Sequence, residues 1–254
     1  MEDEVDATIN NPTDVAQTLP LRVAIIGELE EAIGRASKQR CNEILMHITD
    51  LFIGGGSVRF SDEEIDFFDD AMSRLALAVD VPARSALARR LAPIIKAPVK
   101  VTRLLANDDE PEVASPILEQ SERLDEDVLL LTARRKDQQH LLAIARRKLV
   151  GEAVAEVLVE RGNSEVLRAI AENADAELSE ASFSRLVDHC RDDDVLAASV
   201  GVRPDIPHQL FKKLLGIASE PVRSKFIAAN LPVRVEFNCV EPHFIFVANG
   251  QSLL

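Results

Sequence analysis

The chain has 254 residues, 46% of them hydrophobic and 28% charged, a balance that excludes a disordered or fibrous polymer. Its 43 Asp and Glu outweigh 29 Lys and Arg, for a formal charge of -14, and it contains neither Trp nor Tyr. That field opposes phosphate backbones and anionic lipid, and only ten Phe remain as rings for stacking bases, so nucleic acid and membrane are disfavoured partners.

The amino terminus, MEDEVDATINNPTD, is acidic where a secretory leader would be basic. The strongest apolar runs, Val23 to Ile26 and Phe244 to Ala248, fall far short of the roughly 20 residues that span a bilayer. Cys41, Cys190 and Cys239 are odd in number and too far apart for a zinc or CxxC motif. A soluble cytoplasmic chain without cofactor is expected. Residues 1–19 read as a flexible acidic lead-in, with few apolar positions to bury.

Residues 20–79 read as an N-terminal helical cap and a degenerate first repeat. Ile25, Ile26, Leu29 and Ile33 form one apolar stripe; Ile44, Leu45, Ile48, Leu51 and Phe52 form another. Gly54, Gly55 and Gly56 stop the second stripe, and Ser61 with Glu64 has capping-box spacing for a further helix. The first helices could also pair between two copies, giving a homodimer. The acidic run Glu63, Glu64, Asp66, Asp69 and Asp70 fits a helix's first turns, where carboxylates complement the dipole.

Residues 80–232 are self-similar. An apolar triplet falls at Val101/Leu104/Leu105, Val128/Leu131/Thr132, Val154/Val157/Leu158, Phe183/Leu186/Val187 and Phe211/Leu214/Leu215, with leaders 27, 26, 29 and 28 residues apart. Val113, Leu141, Val166, Val195 and Val222 keep a similar beat in the first halves. Breakers between the halves make each unit two short helices, each marginal alone, so the units must stack. The expected fold is all-α, a right-handed α-solenoid of short antiparallel helix pairs. Leu104, Leu131, Val157, Leu186 and Leu214 should then face the core. After Pro232 the alternation of Val233, Val235, Phe237 and Cys239 predicts a non-helical tail over 233–254.

Segments such as ARSALARRLA, HLLAIARRK, EAVAEVLVERGNSEVLRAIAENADAELSEASFSRLV and RPDIPHQL resemble a bacterial domain-of-unknown-function family built from short helical repeats. The resemblance spans about residues 40–230 and is most specific from His140 to Ala171. More loosely the units are similar to HEAT and leucine-rich-repeat-variant repeats, without the fixed Pro and Asp/Arg positions of HEAT. It implies a fold and no reaction.

Arginine clusters stand at helix ends: Arg89-Arg90, Arg134-Arg135-Lys136 and Arg146-Arg147-Lys148. They could align into a basic stripe, although cations in a last turn also serve the helix dipole and its free carbonyls. On the second helices Arg103, Glu156, Arg185 and Lys213 share one position, where a solvated face is the plainer alternative to a groove. Arg89, Arg90, Arg103, Arg146, Arg147, Arg185 and Lys213 are the candidate partner-binding residues. Residues 80–170 balance 15 basic against 15 acidic residues, while both flanks are negative, so an acidic protein partner fits the centre.

No catalytic or metal constellation stands out. Asp188 to Asp194 gathers His189, Cys190 and carboxylates, but adjacent helical residues diverge by about 100°, and the Asp run suits a helix N-terminus. His140 and His208 read as surface or capping residues. The pattern points to a protein-interaction scaffold or regulatory adaptor. The alternatives are a small-ligand-binding or enzymatic helical-repeat protein, and a phosphate- or nucleic-acid-binding one.

Overall fold

The computed structural model describes residues 37–55 and 60–228, and among them the chain is all-helical. The expected lead-in, residues 20–36 of the expected cap and the expected tail lie outside the described residues. The helices are α1 Lys38–Gly54, α2 Asp62–Ala76, α3 Val81–Leu91, α4 Val99–Ala106, α5 Pro111–Gln120, α6 Glu126–Arg135 and α7 Gln138–Ala145. They continue as α8 Glu152–Arg161, α9 Ser164–Glu172, α10 Glu180–His189, α11 Asp194–Val202, α12 His208–Ile217 and α13 Glu220–Ala228. A 3-10 turn, Cys190–Asp192, separates α10 from α11. Among the described residues the one extended pairing is an isolated bridge between Val150 and Ala176.

Short polar residues start several helices. Ser37, Asp80, Asp137, Asn163, Ser179 and Asp193 each accept a hydrogen bond from a first-turn amide, and Ser61 with Glu64 forms the expected reciprocal capping box. Pro98 leaves α4 without a cap of its own. Asp69 of α2 supplies it: its carboxylate, buried at 2% exposure, accepts from the Lys100 and Val101 amides at 2.7 Å each. One member of the acidic run therefore caps a neighbouring helix rather than its own.

The helices stand in two rows. Each odd-numbered helix packs on the next odd-numbered one from α1 to α13; α2 packs on α4, and α6, α8, α10 and α12 follow one another in the second row. The N-cap fixes which residues face inward. In α5, α7, α9 and α11, the residues three, four, seven and eight places after the N-cap are all buried: Val113, Ala114, Ile117 and Leu118 in α5, for example. In α4, α6, α8, α10 and α12 the fourth and seventh places are buried throughout. Fully burying such an aliphatic side chain is worth about 1.5–3 kcal/mol, which helices of eight to ten residues obtain only from their neighbours.

Two expected core positions are corrected by this rule. Leu131 is 44% exposed and Leu129 takes the inward place; Val195 is 51% exposed and Leu196 takes it. Each error falls within an apolar run, Leu129-Leu130-Leu131 or Val195-Leu196-Ala197, where periodicity cannot choose the phase but the distance from the cap does. His140 is a third correction. It occupies the inward place held by Val113, Val166 and Leu196 and is 1% exposed. Its Nδ1 lies 2.7 Å from the Asp137 carboxylate and its Nε2 lies 3.0 Å from the Asp108 carbonyl, which satisfies a buried ring that an apolar core would penalise.

At the far end of the first row, the Phe226 ring lies 2.2 Å from where a Cβ on Gly201 would stand, so α11 and α13 approach closely only because that side chain is missing. Ile227, on the outer side of α13, is 65% exposed.

Candidate interaction surface

A helix's last carbonyls lack intrahelical donors, and here they are served from the next helix of the same row. Arg147, just past α7, donates to the Leu118 and Ser121 carbonyls at the end of α5, at 2.6 and 2.8 Å. Asn173, just past α9, donates to the Ala145 and Arg147 carbonyls at the end of α7, at 3.0 and 2.6 Å. Arg203, just past α11, donates to the Asn173 and Ala176 carbonyls, pairs with Asp205, and lies 5.6 Å from the Phe183 ring centroid. In the second row, Lys136 donates to the Asn107 carbonyl at the end of α4, and Arg161 to the Ala133 and Lys136 carbonyls at the end of α6. The sequence argument assigned helix-end cations to their own helix; the structure gives five polar side chains to the helix before.

This ladder sorts the candidate residues. Arg147 is half-buried, and burial lowers its guanidinium pKa from the ordinary value while Glu122 pulls the other way. Its two terminal nitrogens are committed to backbone, which removes it from a free surface. Arg89 and Arg90 pair with Glu112 and Asp50, and Arg103 pairs with Asp125. Lys213 pairs with Asp188 at 2.5 Å. The Arg146 and Arg185 side chains are exposed and, among the described residues, make no ion pair or hydrogen bond. Nor do the seven make one stripe: Arg89, Arg90, Arg146 and Arg147 lie on the first row, and Arg103, Arg185 and Lys213 on the second. The exposed pairs each contribute little, about 0–1 kcal/mol.

One groove of about 750 Å³ brings some of these groups together. It runs between the carboxyl end of α7 and the length of α9. Leu142, Ala145 and Ala169 line its apolar part; Arg146 and Lys148 stand on the α7 side, and Glu165 and Glu172 on α9. Sequence reasoning found the Arg146–Lys148 cluster and missed Glu165 and Glu172. Their seven-residue spacing on one helix face was the available signal.

The Asp188–Asp194 segment is structural. Burial pushes the Cys190 thiol up to about 12, with Asp193 and Asp188 adding to the effect, so it stays protonated near neutral pH. Burial also opposes ionisation of Asp193. The Arg168 side chain, bonded at 2.8 Å, and the Leu196 and Val195 amides outweigh it and hold the carboxyl below its usual range. Asp193 thereby caps α11 and ties it to α9. Among the described residues no group of three or more His, Cys, Asp or Glu is placed to hold a metal ion. Among them, too, no helix is long and apolar enough to cross a membrane.

By class, then, the described residues form an all-helical protein of mostly short helices. Residues 113–236 match the model of a bacterial family described as "Uncharacterised protein conserved in bacteria (DUF2336)", as the resemblance in the sequence implied. The match begins within α5 and includes the stretch from His140 to Ala171, but starts later than the 40–230 span of that resemblance. No curated protein and no solved structure matches the chain.

Proposed function

We propose that the chain is a right-handed α-solenoid of antiparallel helix pairs, similar to HEAT and armadillo superhelices, with α1 and α2 as its N-terminal cap. In this reading it is a non-enzymatic, cytoplasmic interaction scaffold or regulatory adaptor that holds a protein partner along an extended face. The observation that carries the reading is the row-wise order of contacts, in which each first-row helix packs on its successor from α1 to α13. Stacks of that kind present long surfaces rather than enclosed sites. The partner is expected to offer carboxylates to the exposed cations of the middle pairs.

Charge reversal tests the reading, with Arg146 in place of the structurally committed Arg147. Arg103→Glu with Arg185→Glu, or Arg146→Glu with Lys148→Glu, should weaken capture of a host partner and leave the melting temperature almost unchanged. Undiminished capture by both double variants would sink the assignment. Tight, salt-dependent binding of duplex DNA by the unaltered chain would favour a phosphate-binding protein instead.

A further inference from the structure

We propose that the α7–α9 groove seats an amphipathic helix of a protein partner whose two flanks carry opposite charge, a reading that rests on the scaffold function above. The walls of the groove are unlike. On the α7 side the Arg146 and Lys148 side chains are exposed and make no ion pair or hydrogen bond among the described residues; on α9 the same holds for those of Glu165 and Glu172. Of the other charged lining groups the two arginines are engaged. Arg147 is bound to the Leu118 and Ser121 carbonyls, and Arg168 is bound to Asp193. Glu119 of α5 adds one negative charge on the α7 side. The groove thus holds two free cations at the end of α7 and two free carboxylates along α9, with Leu142, Ala145 and Ala169 as its apolar part.

The shape suits a helix. Adjacent packed helices lie about 8–10 Å apart, and the furrow between them accepts the ridge of a third helix about 10 Å across. Glu165 and Glu172 are about 10 Å apart along α9 at 1.5 Å per residue, so they meet flank residues two turns apart on the occupant. A uniformly acidic partner would be drawn to Arg146 and Lys148 but repelled along α9. A basic partner or a phosphate strand fails at one wall as well. An occupant with an apolar stripe on the groove floor, Asp or Glu toward α7, and Lys or Arg toward α9 satisfies both walls.

The test uses the full chain and three labelled synthetic helical peptides that share one Leu/Ala stripe. One carries Glu on one flank and Lys on the other, one carries Glu on both, and one carries Lys on both. Fluorescence anisotropy at low salt should show the two-signed peptide binding about tenfold or more tighter than either single-signed one. Arg146→Glu with Lys148→Glu should remove that preference. Adding Glu165→Lys and Glu172→Lys should restore it, because the same peptide lying in the opposite direction again meets opposite charges. A two-signed peptide that binds no tighter than the others, or that ignores the double variant, overturns the proposal. If the peptides fail while Arg103→Glu with Arg185→Glu still abolishes partner capture, the groove is wrong and the scaffold reading survives. If neither set of variants alters capture, both readings fall.

Discussion

In α5, α7, α9 and α11 two adjacent positions and then two more, one turn on, are buried in every helix; in the second row only two positions are buried throughout. The contrast is widest at α12, whose buried residues are Phe211 and Leu214 alone, and at α6, with Leu129, Thr132 and Ala133. Both rows are packed by their own neighbours and by each other, and second-row α8 buries five residues against four in α5, α9 or α11. The wide water-facing side belongs to α6 and α12 in particular, and variation in surface chemistry costs least there.

The largest expected effect tests this directly. Ile117→Ala on α5 should cost about 2–5 kcal/mol through lost burial and a cavity, whereas Leu131→Ala on α6 should stay within about 0.5 kcal/mol. Equal losses in denaturant titration would contradict the outward place of Leu131 on α6.

Next in size are the bonds between successive helices of a row. Arg147→Met leaves the Leu118 and Ser121 carbonyls without their side-chain donor, and Arg203→Met does the same to the Ala176 carbonyl, a loss of about 1.5–3 kcal/mol. Arg146→Met, one residue from Arg147 but outside the ladder, should be close to neutral. A measured cost at Arg146 as large as at Arg147 would show that charge, not carbonyl capping, sets the effect.

A smaller, pH-dependent effect belongs to Asp193. Its folded carboxyl titrates below the ordinary value, so its contribution is fully present above the unfolded pKa of about 3.9 and is lost as pH falls through the folded one. The wild type's melting-temperature advantage over Asp193→Asn should hold at pH 6 and shrink below about pH 4. A difference independent of pH would mean that the cap, rather than the Arg168 pairing, is what matters, since Asn also caps.

Sequence reading recovered the helix pairs because two signals coincide at each of them: a breaker or cap and an apolar stripe with nearly the same interval. Phase was lost at Leu131 and Val195, within apolar runs that fit more than one helical face, and the position expected to be shared slips by one: Arg103 and Glu156 stand five places after their N-caps, Arg185 and Lys213 six. His140 was misplaced because a histidine near a helix start is polar by type, and of its two partners Asp137 is local while Asp108 becomes visible only when α7 is laid beside the loop before α5. The groove was half legible. Arg146 and Lys148 stand two residues apart in sequence, but that Glu165 and Glu172 line the same groove depends on how α9 lies against α7. The bonds made by Arg147, Asn173 and Arg203 each span 26 to 30 residues, so no local pattern announces them.

The central claim is that α5, α7 and α9 hold the core of the stack while α6 and α12 are its thinly buried helices. Native-state hydrogen exchange measures it most directly. The amides of α5, α7 and α9 should exchange only through global unfolding, while those of α6 and α12 open at lower free energy. Protection of α6 or α12 equal to or above that of α5, α7 and α9 would contradict the account.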